Sequence, residues 1–284
     1  MNKRKVFQTI SFSVFRFSAL INGVALAIII WFMLSRGYTA ISWEFLTRAP
    51  TDSMTKGGIF PCILGTAAFC AVVLAIAMPI GVASAIYLNE YASQGRLVRI
   101  IRLGINNLAG VPSIVFGLFG LAFFCIVLDM GVSIAAGGLT LAIMTLPVII
   151  GTSEEALRAV PDTYREASLG LGATKWQTIY RVVLPAAFPG IITGGILGLS
   201  RAAGETAPIM YTGAVFFTPV LPDSLFDEVM ALPYHIYVLA TAGTNIEQTR
   251  HLQYGTALVL MALVFGMNLG AILLRSHLRK KNRI

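Results

Sequence analysis

Apolar residues in this chain gather into long stretches, and polar residues gather between them. Roughly 20 apolar residues in a helix cross a hydrocarbon core about 30 Å thick, and lipid tolerates a spanning backbone only as helix or closed barrel. The pattern predicts six helical spans, over residues 16–36, 59–88, 103–128, 134–152, 186–211 and 252–275. Residues 212–251 hold Pro219, Pro222, Asp223, Asp227, Glu228 and Pro233, which predicts a loop with one or two short helices. Glycine and proline recur inside the spans, for example at Pro79, Pro112, Pro147, Gly194, Gly195 and Gly198, where membrane helices use them for close packing and kinks. The expected fold is all-α, a polytopic membrane protein of six helices and one domain over 1–284. It would have a terminal segment at 1–15, a core at 59–275 and a polar loop at 153–185.

Composition agrees with the pattern. Hydrophobic residues make up 56% of the 284 residues and charged ones 12%, and mean hydropathy is +0.78. A soluble domain of that size needs more charge to cover its surface, so the excess apolar area faces lipid. The formal net charge of +8 does not point to nucleic acid, because the basic residues lie between the spans. Segments on the side of the termini carry sixteen Lys and Arg, against four (Arg36, Arg48, Lys56 and Arg250) in the opposite loops. The positive-inside rule then puts both termini in the cytoplasm. The first span follows Lys3, Arg4 and Lys5 like a secretory leader, but Ala25-Leu26-Ala27 lies inside the apolar run where a cleavage site would close it. It reads as an uncleaved anchor.

No cofactor or metal is expected. Cys62, Cys70 and Cys125 sit in apolar stretches without a Cys-x-x-Cys or His-rich neighbourhood, and His235, His251 and His277 are scattered. Glu90, Asn106, Asn107 and Asn268 read as structural hydrogen-bonding groups.

Between the fourth and fifth spans, Thr163 with Glu166 and Thr174 with Gln177 have capping-box spacing, so two short helices are expected. Gly172 fits a left-handed residue ending the first, and Pro185 a stop or bend in the second. Leu169, Leu171, Trp176, Ile179, Tyr180 and Val183 give the hairpin apolar surface that something should cover. In the fifth span Arg201 and Glu205 stand four apart in an otherwise uncharged run, where an ionised side chain costs ~2.5 kcal/mol or more. On a continuous helix they share a face with Gly190, Gly194 and Gly198, which would meet another helix at a subunit interface. A guanidinium matches the paired oxygens of phosphate or sulfate, and Glu205 would keep the anion from being trapped; alternatively, the two side chains only neutralise each other.

Glu166-Ala167-Ser168, three residues, Gly172, nine residues and Val182-x-Leu184-Pro185 resemble the EAA loop of ABC importer permeases, with Ser168 and Val182 as conservative departures. The resemblance implies a MetI-like fold and a loop over 163–185 that docks on a separate ATPase, with Glu166, Ala167, Gly172, Leu184 and Pro185 marking the coupling surface. The chain itself has no phosphate-cradling loop, since Gly170-Leu-Gly-Ala-Thr-Lys175 lacks the Gly before Lys and the hydroxyl after it. Arg201-Ala-Ala-Gly-Glu-Thr-Ala-Pro208 is similar to the R-x-x-GETAP segment of PstA-type phosphate permeases, and Gly57-Gly-Ile-x-Pro-x-Ile-x-Gly-Thr66 to their second-span entry. That likeness implies a phosphate path along Arg201 and Glu205. It also implies an inner-membrane heterodimer with a homologous permease, two cytoplasmic ATPase subunits and an external phosphate-binding protein. A sulfate or molybdate permease, an ion-coupled secondary transporter and a membrane enzyme or signalling scaffold are the rival classes. The last two lack, respectively, internal repeats and a catalytic motif to support them.

Overall fold

The computed structural model describes residues 3–52, 54–93, 95–242 and 246–281; Arg283, one of the sixteen basic residues counted above, lies outside them. Twelve helices follow in order among the described residues. Helices α1 (Lys3–Gly37) and α2 (Trp43–Thr47) lead into a two-stranded antiparallel ribbon, β1 (Pro50–Thr51) with β2 (Lys56–Gly57). Helix α3 (Phe60–Ile86) continues through a wide π turn at Tyr87–Tyr91. Then come α4 (Arg96–Ala109), α5 (Ser113–Gly120) with a wide turn at Leu121–Val127, and α6 (Ile134–Arg158). The hairpin is α7 (Asp162–Gly170) and α8 (Lys175–Thr178), and α9 (Leu184–Gly204), α10 (Ala207–Thr212), α11 (Leu232–Thr241) and α12 (Ile246–Lys281) complete the chain.

Five helical segments are long and apolar enough to cross a membrane, and the count reaches six only when the bent pair α4–α5 is taken as one span. The span expected over 103–128, with Pro112 as a place for a kink, is broken there: α4 and α5 meet at 102°. The cause is local, since Pro112 has no N–H to donate and pushes Val111 out of the helical region. The fifth crossing breaks as well. Its helix ends at Gly204, and Glu205 is extended, with φ −76° and ψ 133°. Pro208, four residues after Gly204, cannot donate to that carbonyl, and its ring would clash with it.

The core is built from α3, α6 and α9, which pack on one another, with Phe69, Val73, Leu141, Met144, Ile149 and Ile209 among its buried side chains. The glycine stripe does not face a subunit interface as its spacing predicted. A Cβ on Gly190, Gly194 or Gly198 would press on Ala156, Thr152 or Ile149 of α6 in the same chain. Helix α1 is peripheral: none of its apolar stretch is buried, and it rests on α12 through Phe32 against Tyr254. Trp31 on α1 is 73% exposed. At the end of the bundle away from the hairpin, residues 213–231 run as loop, and α11 is the short helix that follows among the described residues. Thr66 Oγ1 accepts from Leu232 N at 2.9 Å and so fastens α11 to α3.

Candidate functional site

The hairpin is rooted on one side and bare on the other. Pro161, with its φ fixed near −59°, starts α7, and no side chain caps it, so the Thr163–Glu166 capping box expected from the sequence does not form. The second box does: Thr174 Oγ1 accepts from Gln177 N, and Gln177 Oε1 accepts from Thr174 N at 2.8 Å. Gly172 has φ +83°, the left-handed conformation expected of it. Pro185 does not stop the helix. A π turn at Ile179–Val183 takes the chain straight into α9, and Pro185 lies in the turn that follows it.

Ser168, a departure from the EAA pattern, shares a hydrogen bond with Thr178 at 2.9 Å and ties α7 to α8, a role for the hydroxyl that the motif alone does not disclose. Ile179 and Val183 turn inward with Leu184, and Val183 and Leu184 pack in a cluster with Ala85, Leu157, Val160, Ala187 and Ile191. The outer side keeps Glu166, Ala167, Gly172 and Pro185 exposed, along with Leu169, Leu171, Trp176 and Tyr180. Trp176 and Tyr180 stack with ring centroids 6.2 Å apart. Of the five predicted coupling residues, only Leu184 therefore faces the bundle.

The root of the hairpin is an ion pair that sequence reasoning did not single out. Arg165 Nη2 donates to Glu90 Oε1 at 2.8 Å and Nε to Oε2 at 3.3 Å, while further donations reach the carbonyls of Val160 and Leu157 and the Asp162 carboxylate. The two side chains are only 17% and 8% exposed. The hydrogen bond to Glu90 raises the Arg165 pKa above its ordinary value. Lys175 Nζ lies 5.1 Å from the Tyr91 ring centroid. Both hairpin helices thus hold the same π turn at the end of α3. Glu90 was expected to be structural, and it is; its partner was invisible because 75 residues separate the two.

Arg201 and Glu205 also pair, but across the helix break rather than along one helix. Arg201 Nε meets Glu205 Oε1 at 3.4 Å, with side chains 38% and 19% exposed. The terminal guanidinium nitrogens of Arg201 have no partner among the described residues. The preceding residue, Ser200, shares a hydrogen bond with Asn268 of α12, which fixes the helix without engaging Arg201. Of the other polar residues in the spans, neither Asn106 nor Asn107 makes a side-chain hydrogen bond among the described residues, and no group of residues there could hold a metal ion.

The profile of the binding-protein-dependent transport system inner membrane component matches residues 77–283. The chain is 34% identical to phosphate transport system permease protein PstA 1 of Mycobacterium tuberculosis, over 99% of this chain and 92% of that one. It is 38% identical to PstA of Mycobacterium leprae over 87% and 82%, and 30% to the probable ABC transporter permease YqgI of Bacillus subtilis over 98% of each. Two solved structures share the fold. A chain of the MetNI methionine ABC transporter, in inward-facing form, superposes with a TM-score of 0.62 at 18% identity, covering 78% of this chain and 97% of its own. One from a bacterial ABC transporter involved in alginate import gives 0.63 at 13% identity, over 99% and 100%. A profile match over most of the chain, a MetI-like fold and relatives above 30% identity along nearly its whole length make this chain a member of the binding-protein-dependent inner-membrane permease family, alongside the PstA permeases.

Proposed function

We infer that this chain is the permease subunit of an ATP-driven importer that carries inorganic phosphate across the inner membrane, with both termini in the cytoplasm. The carrying observation is the two-sided hairpin. Its inner side is locked to α3 and to the Ala85–Ile191 cluster, and its outer side presents four large apolar residues around Glu166, Ala167 and Gly172. A lever has that construction: something docks outside, and displacement passes to the core helices inside. The motor is a separate ATPase, because this chain has no phosphate-cradling loop. A homologous permease completes the membrane unit, and an external binding protein delivers phosphate. Arg201 and Glu205 line the path: the guanidinium, held by one long contact, retains donors for two phosphate oxygens, and the carboxylate limits how tightly they are held. The chain performs no covalent chemistry.

The test is uptake of labelled phosphate into vesicles holding this chain and its sister permease, with and without the ATPase. Accumulation that requires both ATPase and ATP is expected; accumulation without the ATPase ends the lever reading. Labelled sulfate and molybdate in the same vesicles check the substrate, since one guanidinium does not distinguish tetrahedral oxyanions. Transport of either in preference to phosphate reassigns it.

A further inference from the structure

A second basic feature, unrelated to Arg201, lies at the hairpin end of the bundle. A cleft of about 870 Å³ opens between the end of α3, the following loop, α4 and the last turn of α6. Arg96, Arg99, Arg102 and Arg158 line it, with Asn89 and Asn106. Two of these guanidinium groups are built in. Arg102 Nη1 lies 2.6 Å and Arg158 Nη2 3.0 Å from the same Glu154 Oε2, and Arg102 Nη2 donates to the Leu88 carbonyl at 2.9 Å. One largely buried carboxylate therefore holds two cations. Arg96 and Arg99, both exposed, have no acidic partner among the described residues. The other acid nearby is Glu155, in an adjoining recess of about 210 Å³ that Arg102, Asn106 and Arg158 also line. The cleft keeps an excess of positive charge and of unused donors.

Helix α4 adds the second half of the observation. It sits nearly at right angles to α5 and buries no residue. Leu97, Ile100 and Ile101, at helical spacing i, i+3 and i+4, stand exposed in a stripe that borders Arg96, one turn before Ile100, and faces away from Arg99 and Arg102. An apolar stripe beside a row of guanidinium groups on an amphipathic helix is the arrangement that lies at a lipid interface, with acyl chains on one side and headgroups on the other. Guanidinium forks bind phosphate oxygens in pairs, and basic pockets between membrane helices take anionic headgroups.

We propose that this cleft is a binding site for a phosphate-bearing anion, supplied by an anionic phospholipid whose headgroup enters among Arg96, Arg99, Arg102 and Arg158 while its chains lie along Leu97, Ile100 and Ile101. Free phosphate shares the headgroup chemistry but has nothing to place on the stripe. The site does not depend on which anion the protein transports.

The experiment uses the full chain purified in neutral detergent, exchanged into nanodiscs of phosphatidylcholine with a minor fraction of phosphatidylglycerol, and released for native mass spectrometry. Arg96 and Arg99 are exposed and unpaired, so the double variant Arg96→Gln/Arg99→Gln leaves the fold intact, and Arg48→Gln at the other end is the control. Wild type and control should retain phosphatidylglycerol over phosphatidylcholine. A basic residue near an anionic lipid surface is worth about fivefold, so the double variant should lose about 25-fold of that preference. Equal retention of the two lipids by wild type, or a preference unchanged in the double variant, overturns the proposal. Displacement of bound phosphatidylglycerol by millimolar inorganic phosphate would assign the cleft to the free anion and overturn the lipid as its source.

Discussion

Two arginine–glutamate pairs stand at different places in this protein, and they are built in opposite ways. Arg165 and Glu90 meet through two hydrogen bonds, mostly out of solvent, with three further acceptors completing the guanidinium's shell. Arg201 and Glu205 meet through one contact of 3.4 Å at a helix break, and the rest of the guanidinium is unengaged. A saturated guanidinium has no donors left for a passing anion and is suited to transmitting force. An unsaturated one can exchange partners. The same two residue types thus serve as a joint in one place and as a way station in the other.

The comparison can be broken most forcefully at the joint. Arg165→Ala leaves the Glu90 carboxylate buried and unpaired, which should cost about 3–5 kcal/mol and appear as a lower thermal midpoint in detergent. Reversing the pair with Glu90→Arg/Arg165→Glu should recover only part, because the carbonyls of Leu157 and Val160 would then lack their donors. An unchanged midpoint in Arg165→Ala would mean that the joint bears no load.

His235 tests a related point, that burial without a charged partner suppresses ionisation. It is almost fully buried on α11, its Nδ1 has no partner among the described residues, and burial pushes its pKa down to about 4. The unfolded chain, with a pKa near 6.5, binds a proton that the folded chain refuses. The stability this concerns is fully present above pH 6.5, and about 3 kcal/mol of it is lost as pH falls to 4. Denaturation midpoints measured against pH should flatten over that window in His235→Leu.

At the way station the expected effect is on transport and not on folding. Arg201→Gln should lower phosphate uptake about tenfold or more while the thermal midpoint stays put, since a loose, partly exposed pair contributes ~1 kcal/mol at most. Wild-type uptake would return Arg201 to a purely structural role. The smallest effects belong to the hairpin. Gly172→Ala forces a side chain into φ +83° at a cost of about 1–2 kcal/mol. Ser168→Ala removes the bond to Thr178, worth about 1 kcal/mol net. Both should loosen the outer surface and weaken retention of an ATPase in pull-downs while leaving the core helices unchanged.

Much of this architecture was legible in the chain. Span positions follow from apolar length, because lipid leaves the backbone few options, and the two-helix hairpin follows from Thr174, Gln177 and Gly172. What was hidden depended on distance or on competition. Residues 90 and 165 carry no local sign that they meet. The glycines of α9 announce a close neighbour but not whose it is, and that neighbour is α6. Pro112 was visible as a possible kink and Pro208 was not read as one, yet the packed structure bends the chain through 102° at the first and ends α9 at Gly204, four residues before the second. Thr163 matched a capping box, but Pro161 set the helix start two residues earlier.

Helix α1 leaves one practical consequence. With its apolar circumference open, Trp31 looks outward, and so do Trp43 near the ribbon and Trp176 on the hairpin. All three indoles of the chain are outside its core. Tryptophan fluorescence, excited selectively, is therefore blind to the interior and sensitive to the surroundings at three separate stations, so a change in its emission would report what has come to rest against the protein.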